Sequence, residues 1–256
     1  YEAGKVTNYG DDNVIIGYYA GLDNTEGSDN IFIGSRSGYN NTSGNENLFL
    51  GKRSGYSNTT GNGNIFLGHY AGYQNESGLK NLFVGYYAGY ENETGSNNVF
   101  IGDSAGYTNF SGNKNVFIGD NAGLSNYDGG YNVFIGDRSG VENTSGSLNT
   151  FVGTYSGNAN SSGIYNTLIG AETGSFITEG NFNTIIGTHS GITLTTEQNN
   201  VFLGAQTGRD NHGNNNTIIG TEAGLQSGSG EGNVFIGYRA GYTQSGSNKL
   251  YIENSN

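Results

Sequence analysis

Asn13-Val14-Ile15-Ile16-Gly17 recurs as Asn30-Ile31-Phe32-Ile33-Gly34 and again as Asn47-Leu48-Phe49-Leu50-Gly51. The asparagine that opens the stretch falls at 13, 30, 47, 64, 81, 98, 115, 132, 149, 166, 183 and 200, eleven unbroken intervals of 17 residues. Spacing then slips to 16 at Asn216, 17 at Asn233 and 15 at Asn248. A fixed period of this size marks units that stack on their neighbours, each too small to bury its apolar face alone. The reading is all-β: a parallel β-roll or β-solenoid of about 14 coils. Residues 1–12 are expected to form an N-terminal cap or junction, 13–247 the repeat domain, and 248–256 a terminal coil leading out.

Composition agrees with a stacked β architecture. The chain has 47 Gly and no Pro, Cys, Met or Trp, and only 33% of it is hydrophobic. Collagen needs Gly at every third position together with Pro, and neither occurs. Disorder is disfavoured by strictly phased apolar residues. Proline would delete a backbone rung between coils, so its absence fits. A net charge of -12 opposes nucleic acid and anionic membranes as partners, because both reward positive patches. It suits an extracellular, salt-exposed surface. No apolar run is long enough to span a bilayer, so no direct membrane insertion is expected of this segment. The chain starts at Tyr1 and reads as a mature product or a piece of something longer.

Each period holds two strand candidates: the Asn-aliphatic-Phe-aliphatic stretch, and a second near segments such as Ala71-Gly72-Tyr73. Glycine-bearing turns separate them, for example residues 24–27. Apolar residues never recur at helical spacing. On a strand, neighbouring side chains point to opposite faces. If the aliphatic pair fills a narrow interior, then Phe32, Phe49, Phe66, Phe83, Phe100, Phe117, Phe134, Phe151, Phe202 and Phe235 point outward, together with Ile15, Leu168, Ile185 and Ile218. Such a row exceeds the apolar patch a soluble monomer tolerates, so it is expected to be an oligomer interface. Closed rotational symmetry favours a few identical copies, and a wedge-like coil section makes three natural. In the competing arrangement, the coil is wider, Phe lies inside, and the aliphatics face out.

Equivalent residues in a stack lie about 4.8 Å apart along the axis, so each column of the repeat is a ladder. Tyr39, Tyr56, Tyr73, Tyr90 and Tyr107 form five consecutive rungs. They are read mainly as packing and, in a functional reading, as a ligand platform for sugars. The asparagines at the strand start and at 24 through 160 are expected to hydrogen-bond rung to rung. Asp103, Asp120 and Asp137 share one column. A bound Ca2+ would relieve their repulsion, as would splaying of the carboxylates into solvent. No other cofactor is expected. His69, His189 and His212 stand apart, and no catalytic constellation interrupts the repeat, so the chain is not expected to be an enzyme.

The Asn-Val-Phe-Ile-Gly stretch resembles the Asn-Ser-Val-Ala-Ile-Gly head repeat of YadA-like trimeric autotransporter adhesins. The fuller pattern, Asn-x-Phe-Ile-Gly-x-x-Ala-Gly-Tyr-x-Asn-x-x-Gly, is similar to repeats in tail-fibre-like surface proteins of Bacteroidetes-type bacteria. The resemblance implies a left-handed homotrimer at the bacterial cell surface or on a tail fibre, engaging a host glycan or protein receptor. Fourteen coils at about 4.8 Å would make a rod of roughly 65–70 Å, whose identical faces act by avidity. Recognition is expected where the repeat breaks down, at residues 173–180, 192–198 and 209–215. Two alternatives remain from the residues: a self-assembling filament subunit, and an ice-binding solenoid. For the latter, Thr150, Thr167, Thr184 and Thr217 share a column but are expected to point inward.

Overall fold

In the computed structural model, which describes residues 2–5 and 9–253, each coil contributes one three-residue strand. The first seven are β1 Val14–Ile16, β2 Ile31–Ile33, β3 Leu48–Leu50, β4 Ile65–Leu67, β5 Leu82–Val84, β6 Val99–Ile101 and β7 Val116–Ile118. The next four are β8 Val133–Ile135, β9 Thr150–Val152, β10 Thr167–Ile169 and β11 Thr184–Ile186. The last are β12 Val201–Leu203, β13 Thr217–Ile219, β14 Val234–Ile236 and β15 Leu250–Ile252. They form one 15-stranded sheet in sequence order, and the pairing is parallel and in register, as in Phe83↔Phe100. The fold is therefore the expected all-β solenoid of about 14 turns with 17-residue spacing. By contact density the chain divides into two units, Tyr1–Tyr131 and Asn132–Asn256.

The expected second strand does not form. Six and eight residues past each strand-start asparagine the backbone turns left-handed, as at Tyr87 (φ 56) and Gly89 (φ 59). That conformation cannot lie in a strand. The segment still hydrogen-bonds from coil to coil, for example Gly89 N–H to Ala105 O at 2.9 Å. It does so as a stack of turns.

The sidedness of the strands is the reverse of the expected one. Phe32, Phe49, Phe66, Phe83, Phe100 and Phe117 in the first unit, and Phe134, Phe151, Phe202 and Phe235 in the second, are fully buried within the single chain. Leu168, Ile185 and Ile218 continue the same inner column. The rings from Phe49 to Phe117 stack at 4.8 Å between centroids, tilted from one another by 6° or less. This separation exceeds ring thickness, so the rings are offset, as aromatic quadrupoles prefer. Space for the ring comes from the glycine eight residues past the asparagine. A methyl group on Gly89 would lie 2.4 Å from the Phe83 ring.

Polar groups complete the interior. Both asparagine columns are fully buried or nearly so. In the turn column, each amide donates to the previous rung: Asn109 Nδ2 to Asn92 Oδ1 at 2.7 Å, and to Gly112 O at 3.0 Å. In the strand column, Asn98 Nδ2 reaches the same Gly112 carbonyl at 2.8 Å, while its backbone N–H donates to Asn81 Oδ1 at 2.9 Å. Buried amides are retained because, along an unbroken run of asparagines, one rung satisfies the next.

Two terminal readings change. Lys249, not Asn248, occupies the strand-start position, with its N–H donating to Asn233 Oδ1 at 2.9 Å, so the last interval is 16 residues. At the other end, Gly4 (φ 60) donates to Ala20 O as Gly21 (φ 51) donates to Ser37 O, and Asp12 matches Asp29 in left-handed φ. Thus residues 4, 5 and 9–12 follow the repeat as a partial coil at this end.

Candidate functional site

Since Phe is inside, the aliphatic residues on either side of it face outward. In β1–β7 all fourteen such positions, two per strand, are Val, Ile or Leu. Several are well exposed, including Ile16 at 58% and Leu50 at 46%. In β8–β15 the second outward column stays aliphatic while the first carries Thr150, Thr167, Thr184 and Thr217. These threonines therefore point out, against expectation. The predicted interface residues are core, and the exposed apolar face belongs to their neighbours. The outward face was legible only through the wider-coil alternative.

The tyrosine column forms as expected. Tyr39, Tyr56, Tyr73, Tyr90 and Tyr107 stack at 4.9–5.0 Å with interplanar angles of 4–15°. Each inner ring has both faces against another ring, which leaves edges and hydroxyls for solvent. The column is thus a packing device, and a sugar cannot lie flat on its inner rungs. Burial pushes the Tyr90 and Tyr107 hydroxyls above their ordinary range; neighbouring Tyr107 and Glu91 respectively add to the effect. Tyr19 is pushed up to about 12, chiefly by its hydrogen bond with Tyr18.

The left-handed column carries bulky side chains that contact one another between coils. Arg53 Nη1 donates to Tyr70 OH at 3.1 Å, and Arg239 Nε to Glu222 Oε2 at 2.6 Å. The latter bond raises the Arg239 guanidinium above its ordinary value. His189 Nε2 lies 3.4 Å from Glu172 Oε2; outside this column, His212 Nδ1 lies 4.0 Å from Glu197 Oε1.

In the aspartate column, the Asp120 carboxylate accepts from Asp103 N–H at 3.2 Å, and Asp103 accepts from Ser104 Oγ at 2.8 Å. Asp137 belongs to the second unit. Among the described residues no group of three or more His, Asp or Glu is arranged to hold a metal.

Within the second unit, the break in the repeat at 173–180 is concrete. The usual Tyr-polar-Asn order, as in Tyr90-Glu91-Asn92, becomes Ser175-Phe176-Ile177. Ile177 turns inward and is fully buried, whereas Phe176 is 58% exposed. The aromatic ring has thus moved one residue along. The rung below carries Asn158 where a ring or aliphatic stands in every earlier complete coil, so two short polar residues in succession leave a notch. The notch has a volume of about 260 Å3 and is lined by Tyr155, Asn158, Glu172, Ser175 and Phe176. Sequence reasoning located this segment by its departure from the period but missed Asn158, one coil earlier, and Tyr155 and Glu172, which match the pattern. At 192–198, Leu194 is buried and the Glu197 carboxylate accepts from Thr196 N–H at 3.0 Å. At 209–215, Asn211 is buried and donates to Ser227 Oγ at 3.0 Å.

No protein-family model, curated protein or solved structure matches the chain.

Proposed function

We propose that this chain is a structural and adhesive rod segment, the head or shaft of an extracellular trimeric adhesin or tail fibre. One observation supports the reading most: the outward aliphatic face of the sheet. Two columns of Val, Ile and Leu run along β1–β7, half-buried or exposed on every strand, and a contiguous apolar strip of this kind marks an interaction surface. The surface repeats at the spacing of the coils, so a second copy of the same sheet offers ridges at a matching pitch. Three copies joined along these faces would shield the strips and leave the turn columns outward, presented threefold for weak multivalent contacts with a surface glycan or protein receptor. The test is the mass in solution by light scattering after size exclusion. Three times 26.9 kDa is expected; a monomer sinks the trimer.

Ice binding is a second reading, supported by the outward threonines at three consecutive rungs, Thr150, Thr167 and Thr184. It requires thermal hysteresis in the purified chain, and its absence removes it.

A further inference from the structure

We infer that the notch between Tyr155 and Phe176 is a monosaccharide subsite; the inference rests on the adhesive reading above and names its ligand class. Four observations converge. First, the cavity of about 260 Å3 lies just below the roughly 300 Å3 at which small-molecule sites begin, so it takes a single ring and not an extended chain. Second, its walls mix aromatic rings with hydrogen-bonding groups: Tyr155 and Phe176 beside the Glu172 carboxylate, the Asn158 amide and the Ser175 hydroxyl. A pyranose needs that combination, since its C–H faces are apolar and its hydroxyls both donate and accept.

Third, the groups are held in place. The Tyr155 hydroxyl accepts a hydrogen bond from Arg138 Nη1, and the guanidinium carbon of Arg138 lies 5.4 Å from the Tyr155 ring centre. Glu172 is held 3.4 Å from His189. Fourth, the ring of Phe176 is more than half exposed although apolar side chains elsewhere on this turn face pack inward or on one another. The exchange of Tyr-polar-Asn for Ser175-Phe176-Ile177 produces both the opening and its wall in one step.

A cationic ligand such as a quaternary ammonium also favours aromatic walls and a carboxylate. His189 and Arg138 beside the notch disfavour it, and the Asn158 and Ser175 groups would go unused. The sugar is therefore the occupant.

The experiment is saturation-transfer NMR on the full chain with separate neutral probes, glucose, galactose, mannose and N-acetylglucosamine, and with choline. At least one sugar should receive saturation with a dissociation constant in the millimolar range, and Phe176→Ala and Glu172→Gln should each weaken it roughly tenfold or more. Phe176 is exposed, so the variant should keep the wild-type melting temperature, which is measured alongside. No transfer to any of the four sugars, transfer unchanged in both variants, or transfer to choline alone overturns the subsite. Attachment of the chain to a cell surface is measured in parallel. Attachment that persists without sugar transfer removes the subsite and leaves adhesion standing, whereas loss of both removes both.

Discussion

Ile177 and Leu168 together fill the space that Phe151 and Asn160 fill in the coil below. A methyl group on Gly174 would lie 2.8 Å from Ile177 Cδ1 and 3.1 Å from Leu168 Cδ1; on Gly157 it would meet the Phe151 ring at 2.5 Å. The usual Phe-plus-Asn interior has become Leu-plus-Ile, and Ile185 with Leu194 repeats the exchange one rung on. The amide ladder ends there. Asn160 donates to Asn143 Oδ1 at 2.6 Å, but its own Oδ1 faces the apolar rung and has no hydrogen-bond partner.

The exchange predicts strong coupling between the two sites. Leu168→Phe alone should overpack the coil and cost about 1–3 kcal/mol. Ile177→Asn alone should leave a void beside Leu168 that outweighs the new donor for Asn160. The double variant should be more stable than the sum of the singles by about 0.5–3 kcal/mol in a thermal double-mutant cycle. Additive effects would refute the shared-space account.

An interior rung of the ladder should be costly to remove. Asn109→Ala would deprive Asn92 Oδ1 and Gly112 O of a donor and take away the acceptor for Asn126 Nδ2 at 2.7 Å. With about 1–3 kcal/mol for a buried group left unmade, a total near 2–3 kcal/mol is expected as a fall in denaturant midpoint. A loss within about 0.5 kcal/mol, the range of ordinary surface changes, would mean the ladder is decorative.

Substitution at a left-handed position should act in the opposite direction. Leu148 is held at φ 62 with 43% of its surface exposed. A non-glycine side chain there costs about 1–2 kcal/mol, least for Asn. Leu148→Asn should therefore raise stability by about 0.5–1 kcal/mol, read as a higher melting temperature; a decrease would show that the leucine is packed in the working assembly.

Alkali should weaken the tyrosine stack. Burial holds the Tyr90 and Tyr107 pKa values above the unfolded value near 10. The neutral hydroxyl is favoured in the fold, so its stabilisation is fully present below pH 10 and is lost as pH rises through the raised values. Ultraviolet titration should show a late-ionising fraction that shrinks in Tyr90→Phe/Tyr107→Phe, with the raised Tyr19 remaining in it. Simultaneous ionisation of all tyrosines near 10 would contradict it.

The seam proposed for the sheet can be opened by charge. Leu50→Lys with Ile65→Lys places two cations on the outward columns, where Leu50 is 46% and Ile65 38% exposed. Scattering mass should fall to that of one chain with little change in circular dichroism. Retained assembly would place the contact elsewhere.

The period, strand positions and parallel register were legible because Asn, Phe and Gly recur at fixed offsets. The sidedness was not. A three-residue aliphatic-Phe-aliphatic strand is apolar on both faces, so alternation supplies no contrast with which to choose the inside. The polar Asn before it misled further, being a residue that belongs at the surface unless a ladder satisfies it. Gly89 held the missing clue: a glycine kept in every coil opposite the aromatic marks where the ring lies. The second strand was mistaken because Tyr87 and its equivalents adopt left-handed backbone that their residue types do not advertise. The notch was half visible, through Ser175-Phe176-Ile177, and half hidden, because Tyr155 and Glu172 match the pattern and become a site only by position.

Every coil closes its interior with its own glycines and with amides that bond to identical amides above and below. One coil can therefore take the place of another. Duplication or loss of seventeen residues would change the chain by one whole rung while leaving the amide partners of the interior chemically unchanged, as the like-to-like Asn bonds from residue 24 to 126 imply. Such a gene can lengthen or shorten its product in discrete steps without passing through a misfolded intermediate. The apolar rungs at Ile177 and Leu194 are the exception: recombination through them would separate a matched pair, which makes that stretch the part of the repeat most resistant to reshuffling.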